Sequence, residues 1–571
     1  GGTMKLVLAA IHIKASPRAV PLGPAMLAAV LRRTFGEEIQ TRILNLFLDQ
    51  PAVECADRIL ESDPDHVGFS MYVWNRGLAL EIASVLKQRR PGLVIFAGGA
   101  EATADQVGVL GDPAMDFVLA GEGEDLIVET LGRLLKGATT REIAASARPI
   151  PVKDLATLPS PFLDGTLKLA DYSGALWELS RGCPFTCDFC FESRGTAGIR
   201  RVPMDRVEAE LELFAASGIR EVFVLDPTFN YHKANAKQVL HLIAVKAPDI
   251  HFFFEIRSEF IDREMAGLFA AIRCSLQIGL QSAHDEVLRN ISRSFDPADF
   301  EAKILLLHNA DVTYGFDLIY GLPGDSLEGF RASLDFAMSL VPNHIDVFRL
   351  SVFPGTRLAE TAPALNLEHE ACNPYQVIAS PTFSRENIAL AARIAHGCDV
   401  LYNHGKAVPW FGIILEALEI SPSEMFERFA TWLESHPSED LTQTQRDFIG
   451  SLFEESGNTL MGSIAADIIS YFGYSAELMD ARPMESDRRD PPSRRVAFNH
   501  DPVDLLAQMR AGTISLEELV FSLPGKACDA VLSVNDGITL TIVTSPVPEP
   551  ATMPLLGLGL VGLAGLRRRM S

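Results

Sequence analysis

Cysteine is scarce in this chain: there are eight among 571 residues. Five of them (Cys55, Cys274, Cys372, Cys398 and Cys528) are scattered singly. That spacing excludes the disulfide framework that staples small secreted domains. Basic charge is also short, with 50 Lys and Arg against 74 Asp and Glu and a formal net charge of −24. A broad nucleic-acid-binding surface needs clustered cations, so this balance leaves room only for local basic patches. No secretory leader pattern is visible. Gly1-Gly2-Thr3 ahead of Met4 has the look of a cloning remnant and is set aside in reasoning about the fold. Sparse unpaired cysteines predict a reducing, cytoplasmic setting. No internal repeat is apparent. What remains is ordinary globular composition, 47% hydrophobic and 22% charged, with length enough for about three or four domains.

The other three cysteines stand together. In Ser180-Arg181-Gly182-Cys183-Pro184-Phe185-Thr186-Cys187-Asp188-Phe189-Cys190 they are spaced C-x3-C-x2-C. Three thiolates at this spacing can hold three corners of a cubane 4Fe–4S cluster and leave the fourth iron open to a reacting molecule. Clusters that only carry electrons usually take four cysteines. A structural zinc site wants a fourth Cys or His in paired half-sites, and the nearest candidates, His232 and Cys274, show no such pairing. Phe189, just before the last cysteine, makes the run resemble the radical S-adenosylmethionine (radical SAM) signature.

Residues 4–150 read as alternating strands and helices. Apolar runs at Met4–Ala10, Ile43–Leu46, His66–Ser70, Val94–Gly99 and Phe117–Gly121 are each followed by a turn or helix, including one over about Pro24–Arg33. This predicts a parallel, doubly wound α/β sheet. Small residues (Gly23, Ser70, Gly98, Gly99, Gly121 and Gly123) fall at the strand ends, where such sheets bind ligands. The layout resembles the Rossmann-like cobalamin-binding domain that precedes many radical SAM cores. The resemblance implies a cobalamin site built from Pro21, Leu22, Gly23, Ser70, Tyr72, Trp74, Asn75, Gly98, Gly99, Glu101, Gly121, Glu122 and Gly123. The Asp-x-His-x-x-Gly motif that supplies an axial histidine to cobalt is absent, since His12 lacks that context. The resemblance therefore implies cobalamin without a histidine ligand, with Tyr72, Trp74 or Asn75 on its lower side.

Residues 151–172 read as an inter-domain linker. Beyond them, Leu176–Ser180 reads as a strand that delivers the cysteine loop. About six strand–helix units up to residue 360 predict a partial (β/α)6 barrel with its chemistry at the strands' C-terminal ends. The radical SAM resemblance implies an S-adenosylmethionine cradle of Phe189, Asp226, Thr228, Asn230, Glu255, Arg257, Gln277, Gly279, Gln281, Ser282, Gly321 and Pro323. Singly these are weak signals, because Gly-Leu-Pro-Gly is more often only a turn. Their order behind the cysteine triad gives them weight. From Phe383 the spacing turns helical, predicting a mainly helical domain over 361–545 that covers the barrel's open side. Asp480–Arg495 reads as an exposed charged loop.

Pro548-Glu549-Pro550, an apolar stretch from Met553 to Leu566 and Arg567-Arg568-Arg569 together resemble a PEP-CTERM sorting signal over 546–571. The apolar stretch is shorter than the roughly 20 residues of a full membrane span. Membrane contact is expected only if this tail is a working signal.

The resemblance implies an enzyme that cleaves S-adenosylmethionine to a 5′-deoxyadenosyl radical. That radical would abstract a hydrogen from an unactivated carbon of a small-molecule or peptide-derived substrate, which methylcobalamin would then methylate. A flavodoxin or ferredoxin would supply electrons, and no nucleic acid is expected. Two alternatives stay open on sequence alone. One is a cobalamin-dependent rearrangement or cyclisation without methyl transfer, and the other is a non-catalytic cobalamin sensor.

Overall fold

The computed structural model describes residues 3–192, 198–481, 492–512, 514–534 and 537–543, and a strand at 552–555. The first unit is a five-stranded parallel sheet. Its strands are β1 (Met4–His12), β2 (Ile39–Phe47), β3 (His66–Ser70), β4 (Val94–Gly98) and β5 (Phe117–Leu119), in the order β2-β1-β3-β4-β5. Strand β1 is apolar almost throughout because helices cover both of its faces. Leu6 and Leu8 pack toward the helix Leu22–Phe35, while Val7, Ala9 and Ile11 pack with Phe69 and Ile82 on the other side. Gly68 is required by packing, since a Cβ there would sit 2.6 Å from the Phe96 ring. All five C-terminal ends share one edge.

The second unit is a six-stranded parallel sheet, curled and open between its edge strands. It contains β6 (Gly174–Trp177), β9 (Glu221–Val224), β10 (His251–Ile256), β11 (Cys274–Gln281), β12 (Thr313–Tyr320) and β13 (His344–Arg349), ordered β13-β12-β11-β10-β9-β6. The strand expected over Leu176–Ser180 breaks after Trp177. Asp226 is the cause: its Oδ1 accepts the backbone N–H groups of Leu179 (2.9 Å) and Ser180 (3.0 Å) and draws the chain out of the sheet. The next two residues form β7 (Ser180–Arg181), which pairs antiparallel with β8 (Arg200–Arg201).

The expected linker is a packed strap. Val152, Leu155, Leu158, Phe162, Leu167 and Leu169 are buried. Ser160 donates to Glu210 (2.6 Å), which also takes the indole N–H of the buried Trp177 (3.0 Å). The first unit reaches into the second through its loop at residues 13–19. There the Pro17 carbonyl lies 2.5 Å from where a Cβ on Gly174 would stand, and the Arg18 guanidinium lies 4.5 Å from the Phe223 ring centroid.

The remainder is mainly helical, as expected. Helices at Arg385–Cys398 and Pro422–Ser435 pack beside β13 and its flanking helix, while those at Leu441–Glu455 and Thr459–Asp480 pack against each other. Two features lie outside the helical reading. One is a hairpin of β14 (Glu368–His369) and β15 (Val377–Ala379). The other is an antiparallel sheet of β16 (Ser493–Phe498), β17 (Cys528–Val534), β18 (Ile538–Val543) and β19 (Thr552–Leu555). Most of the expected charged loop, and the PEP-CTERM-like tail apart from β19, lie outside the described residues. Among the described residues no helix is long and apolar enough to cross a membrane.

The Pro17–Gly174 contact makes the two units sensitive to one methyl group. Gly174→Ala is expected to cost about 1–3 kcal/mol by overpacking, read as a lower midpoint in urea unfolding.

Candidate cofactor cleft between the first two units

The cysteine loop hangs between anchors at both ends. Gly182 has φ +98, and a Cβ there would collide with the Gly198 carbonyl, so the turn into Cys183 requires glycine. On the far side, Asp188 is buried. Its N–H donates to the Ile291 carbonyl (3.1 Å), its carbonyl accepts Leu358 N–H (2.8 Å), and its Oδ1 accepts from Ser292 (2.7 Å). Cys187 is buried, and Cys183 and Cys190 are half-buried. Burial pushes the Cys183 thiol up. Arg293 donates from Nη1 to the Cys187 sulfur at 3.7 Å and from Nη2 to the Gly279 carbonyl at 2.9 Å. Its buried Nε has no partner, nor does Oε1 of Gln281, which holds φ +68 at the end of β11. Orphaned donor and acceptor atoms beside a thiol loop fit a polar group bound there, and the guanidinium suits anionic sulfur. Among the described residues, no three Cys, His, Asp or Glu side chains form a cage for a single metal ion. A cubane spreads its thiolates over separate corners, and three thiols on one anchored loop beside Arg293 are suited to such a cluster.

The residues expected to hold S-adenosylmethionine divide into spent and available groups. Besides the two backbone N–H groups, Asp226 accepts the Ser180 hydroxyl at 2.6 Å, and burial pushes its carboxyl up to about 6. Asn230 brackets the Arg257 backbone through both ends of its amide (2.8 and 3.0 Å). Ser282 is taken up by Ser333 and the His284 N–H. Gln277 donates to Asp317 (2.7 Å) and Asp346 (3.2 Å). Arg257 binds Glu259 and lies 3.8 Å from the Phe185 ring centroid. Gly321 has φ +87 against Val377, and the Pro323 carbonyl accepts from Asn290. Phe189, Thr228 and Gly279 are half-buried, and the Glu255 side chain is exposed.

Across the gap lies a cavity of about 690 Å³, walled by both units. It falls within the range of sites that hold sizeable small molecules. Of the expected cobalamin set, Pro21, Leu22, Gly23, Ser70, Tyr72 and Trp74 line it. They are joined by Leu176, Glu178, Arg181 and Leu225 from the barrel. Tyr72 and Trp74 stack in parallel, centroids 4.6 Å apart. Asn75 is instead buried and spent on the Tyr72 N–H and the Ile11 and Ser70 carbonyls. Glu101 pairs with Arg76 (2.9 Å) and accepts the Tyr375 hydroxyl (2.5 Å). Gly98 and Gly99 position that turn, where a Cβ on Gly99 would press the Met71 backbone. Glu122 pairs with Arg200, while Gly121 (φ +87) and Gly123 shape its loop and Glu124 reaches the cavity wall.

Sequence reasoning missed the charges that join the halves. Arg181 meets Glu178 at 2.8 Å and Glu124 at 2.5 Å, with Glu122 at 3.4 Å. Its place directly before Gly182-Cys183 was the available signal. Arg293 and Arg18 carry no such signal in the sequence. His12 also lines the cavity, its Nε2 hydrogen-bonded to Asn45 Oδ1 (2.7 Å), and burial keeps its pKa low.

The B12 binding domain family matches residues 9–131, the radical SAM superfamily residues 177–337, and the PEP-CTERM protein-sorting motif residues 546–569. The chain therefore carries a B12-binding domain followed by a radical SAM domain. It is 27% identical over 375 residues to the cobalamin-dependent radical SAM methyltransferase TokK of Streptomyces tokunonensis, covering 58% of this chain and 54% of that protein. The chain spans about half the length of TokK and of a second curated relative, a 2-(S-pantetheinyl)-carbapenam-3-carboxylate methyltransferase. Among solved structures it resembles the radical SAM methyltransferase TsrM from Kitasatospora setae. The TM-score is 0.53 at 19% identity, over 65% of this chain and 76% of that one. It also resembles the cobalamin-dependent radical enzyme OxsB, with a TM-score of 0.59 at 14% identity, over 85% of this chain and 82% of that one. At these identities the structures share the fold.

Asp226 yields a pH prediction. Its folded value of about 6 stands above the ordinary 3.8, so its contribution to stability is present below about pH 4 and lost as pH rises through 6. The loss is about 3 kcal/mol. Asp226→Asn can keep all three hydrogen bonds without this loss. The stability difference between variant and wild type should therefore shift by that amount between about pH 4 and 7 in denaturant titrations.

Proposed function

We propose that this chain, with its B12-binding and radical SAM domains, is a cobalamin-dependent radical SAM methyltransferase. It would methylate an unactivated carbon of a small molecule or peptide-derived substrate. The observation that carries the reading is the shared cleft. Arg181, two residues from Cys183, lines the same cavity as Ser70, Tyr72 and Trp74 from the other domain. A protein that only stored or sensed a corrinoid would have no use for a cysteine triad that begins two residues from a side chain lining that cavity. The fold relative TsrM has been solved with tryptophan and an S-adenosylmethionine analogue, which supports a small-molecule substrate here.

When bound, the 4Fe–4S cluster and S-adenosylmethionine supply a carbon-centred radical, and cobalamin supplies the methyl group. The chain's own share is placement and shielding. Cys183, Cys187 and Cys190 hold the cluster, and Arg293 offsets the negative charge of the Cys187 sulfur. Gly279, Gln281 and the neighbouring strand ends receive S-adenosylmethionine, and Asp226 acts indirectly by fixing Leu179 and Ser180. Pro21–Gly23, Ser70, Tyr72 and Trp74 form the corrinoid wall. Leu176, Leu225, Ile13 and Trp74 make the cleft apolar, which keeps water from a radical. We assign 4–150 to the cobalamin unit, 173–360 to the radical core and 361–545 to the substrate-side domain. A cytoplasmic setting with a flavodoxin or ferredoxin donor suits a reduced cluster.

The triad gives the sharpest test. Anaerobic reconstitution should load about four irons on the wild type. Cys183→Ala, Cys187→Ala or Cys190→Ala should lose the cluster absorption and S-adenosylmethionine cleavage while retaining the corrinoid spectrum. Wild-type protein that takes up iron but no corrinoid would refute the cobalamin assignment. A deuterated methyl group from labelled S-adenosylmethionine should appear in product, and its absence from a turned-over product would refute methyl transfer.

A further inference from the structure

Two opposite charges beside the barrel lumen, Arg18 and Glu255, have no hydrogen-bond or ion-pair partner among the described residues, although Glu255 belongs to the expected S-adenosylmethionine cradle. Arg18 comes from the B12-binding domain, yet its guanidinium lies over the stacked Phe223 and Phe253 rings of β9 and β10, 4.5 and 5.9 Å from their centroids. Its side chain is exposed into the interdomain cavity. Among the described residues it makes no hydrogen bond or ion pair. Arg181, by contrast, is fully engaged by carboxylates on the same cavity wall. Glu255 stands two residues beyond Phe253, on the same face of β10. It too is exposed, and its carboxylate makes no hydrogen bond or ion pair among the described residues. Arg18 lies near enough to act on Glu255 electrostatically, but the two do not close into a salt bridge.

A stacked guanidinium keeps its edge donors free, and those donors match a carboxylate in a bidentate fork. An unpaired carboxylate nearby accepts from an ammonium. Aromatic rings on one side and two separated, unspent charges on the other describe a slot for a zwitterion. Resting on the radical SAM reading above, we infer that Arg18 and Glu255 bind an α-amino-acid head group, with its carboxylate on Arg18 and its ammonium on Glu255. The molecule that brings this chemistry is a substrate with a free amino-acid end, with S-adenosylmethionine as the control titrant.

The test uses cluster- and cobalamin-loaded protein, with each standard L-amino acid and S-adenosylmethionine as separate titrants in calorimetry. The tightest amino acid is then compared with its amide and its N-acetyl derivative. If the slot serves the substrate, at least one amino acid binds the wild type. Both derivatives then bind more weakly, and Arg18→Gln and Glu255→Gln each cost about 10- to 100-fold in affinity while S-adenosylmethionine binding is unchanged. Loss of affinity for S-adenosylmethionine alone would assign the two residues to the cofactor cradle and overturn the inference. It is overturned equally if neither variant weakens amino-acid binding. Arg18→Lys, which keeps a point charge but not the fork, should fall between wild type and Arg18→Gln, and it covers the case where Arg18→Gln does not load. Failure of the wild type to take up cluster or corrinoid would strike the proposed function. Normal loading with no Arg18 or Glu255 effect strikes only this inference.

Discussion

Arg181 is the point on which the two cofactor regions depend. One guanidinium is shared by Glu178 on its own strand end and by Glu124 and Glu122 in the loop after β5. Arg200, on the strand that pairs with it, completes the set through Glu122 and the Val152 carbonyl. Three carboxylates thus face two guanidiniums, and the geometry locks the segment before Cys183 to the first domain. Half-buried networks of this kind add little net stability over an apolar core. Losing one partner is costly, by about 3–5 kcal/mol for a fully buried pair, because a charge is stranded. The network's contribution is register, holding the cysteine loop and the first domain's side of the cavity at a fixed separation.

The same logic recurs at smaller scale. Asp226 spends its carboxylate on two backbone N–H groups and a hydroxyl, and so decides where β6 stops and β7 begins. Tyr375, from beyond the barrel, reaches Glu101, which already holds Arg76. Each device fixes a loop at the C-terminal edge of a parallel sheet, where the backbone has left the ladder and has no partners of its own.

Much of this was legible in the sequence, and the reasons are physical. Strands buried on both faces read as unbroken apolar runs, so both sheets could be seen in order. The cysteine spacing is local, and so could be read without knowing the fold. Roles that depend on long-range pairing could not. Nothing in Asp226 or Asn230 shows that their side chains serve neighbouring backbone, and nothing in Glu101 or Glu122 shows that arginines claim them. The 151–172 segment looked like a linker because its Pro and Asp content masks six buried apolar side chains. The final antiparallel sheet was missed because its short strands sit among helices and charged residues.

The loop at residues 13–19 has one more consequence. It belongs to the first domain, but the space it fills is the interior of the second, with Pro17 against Gly174 and Arg18 over Phe223. A six-stranded open barrel does not close its own lumen, and here an outside segment completes the wall. The two domains are therefore not separable modules in the usual sense. Any separation of the two domains would also withdraw the loop and let solvent into the barrel. Docking of the first domain and closure of the barrel wall are thus one mechanical event, so an undocked protein would also be a half-built one.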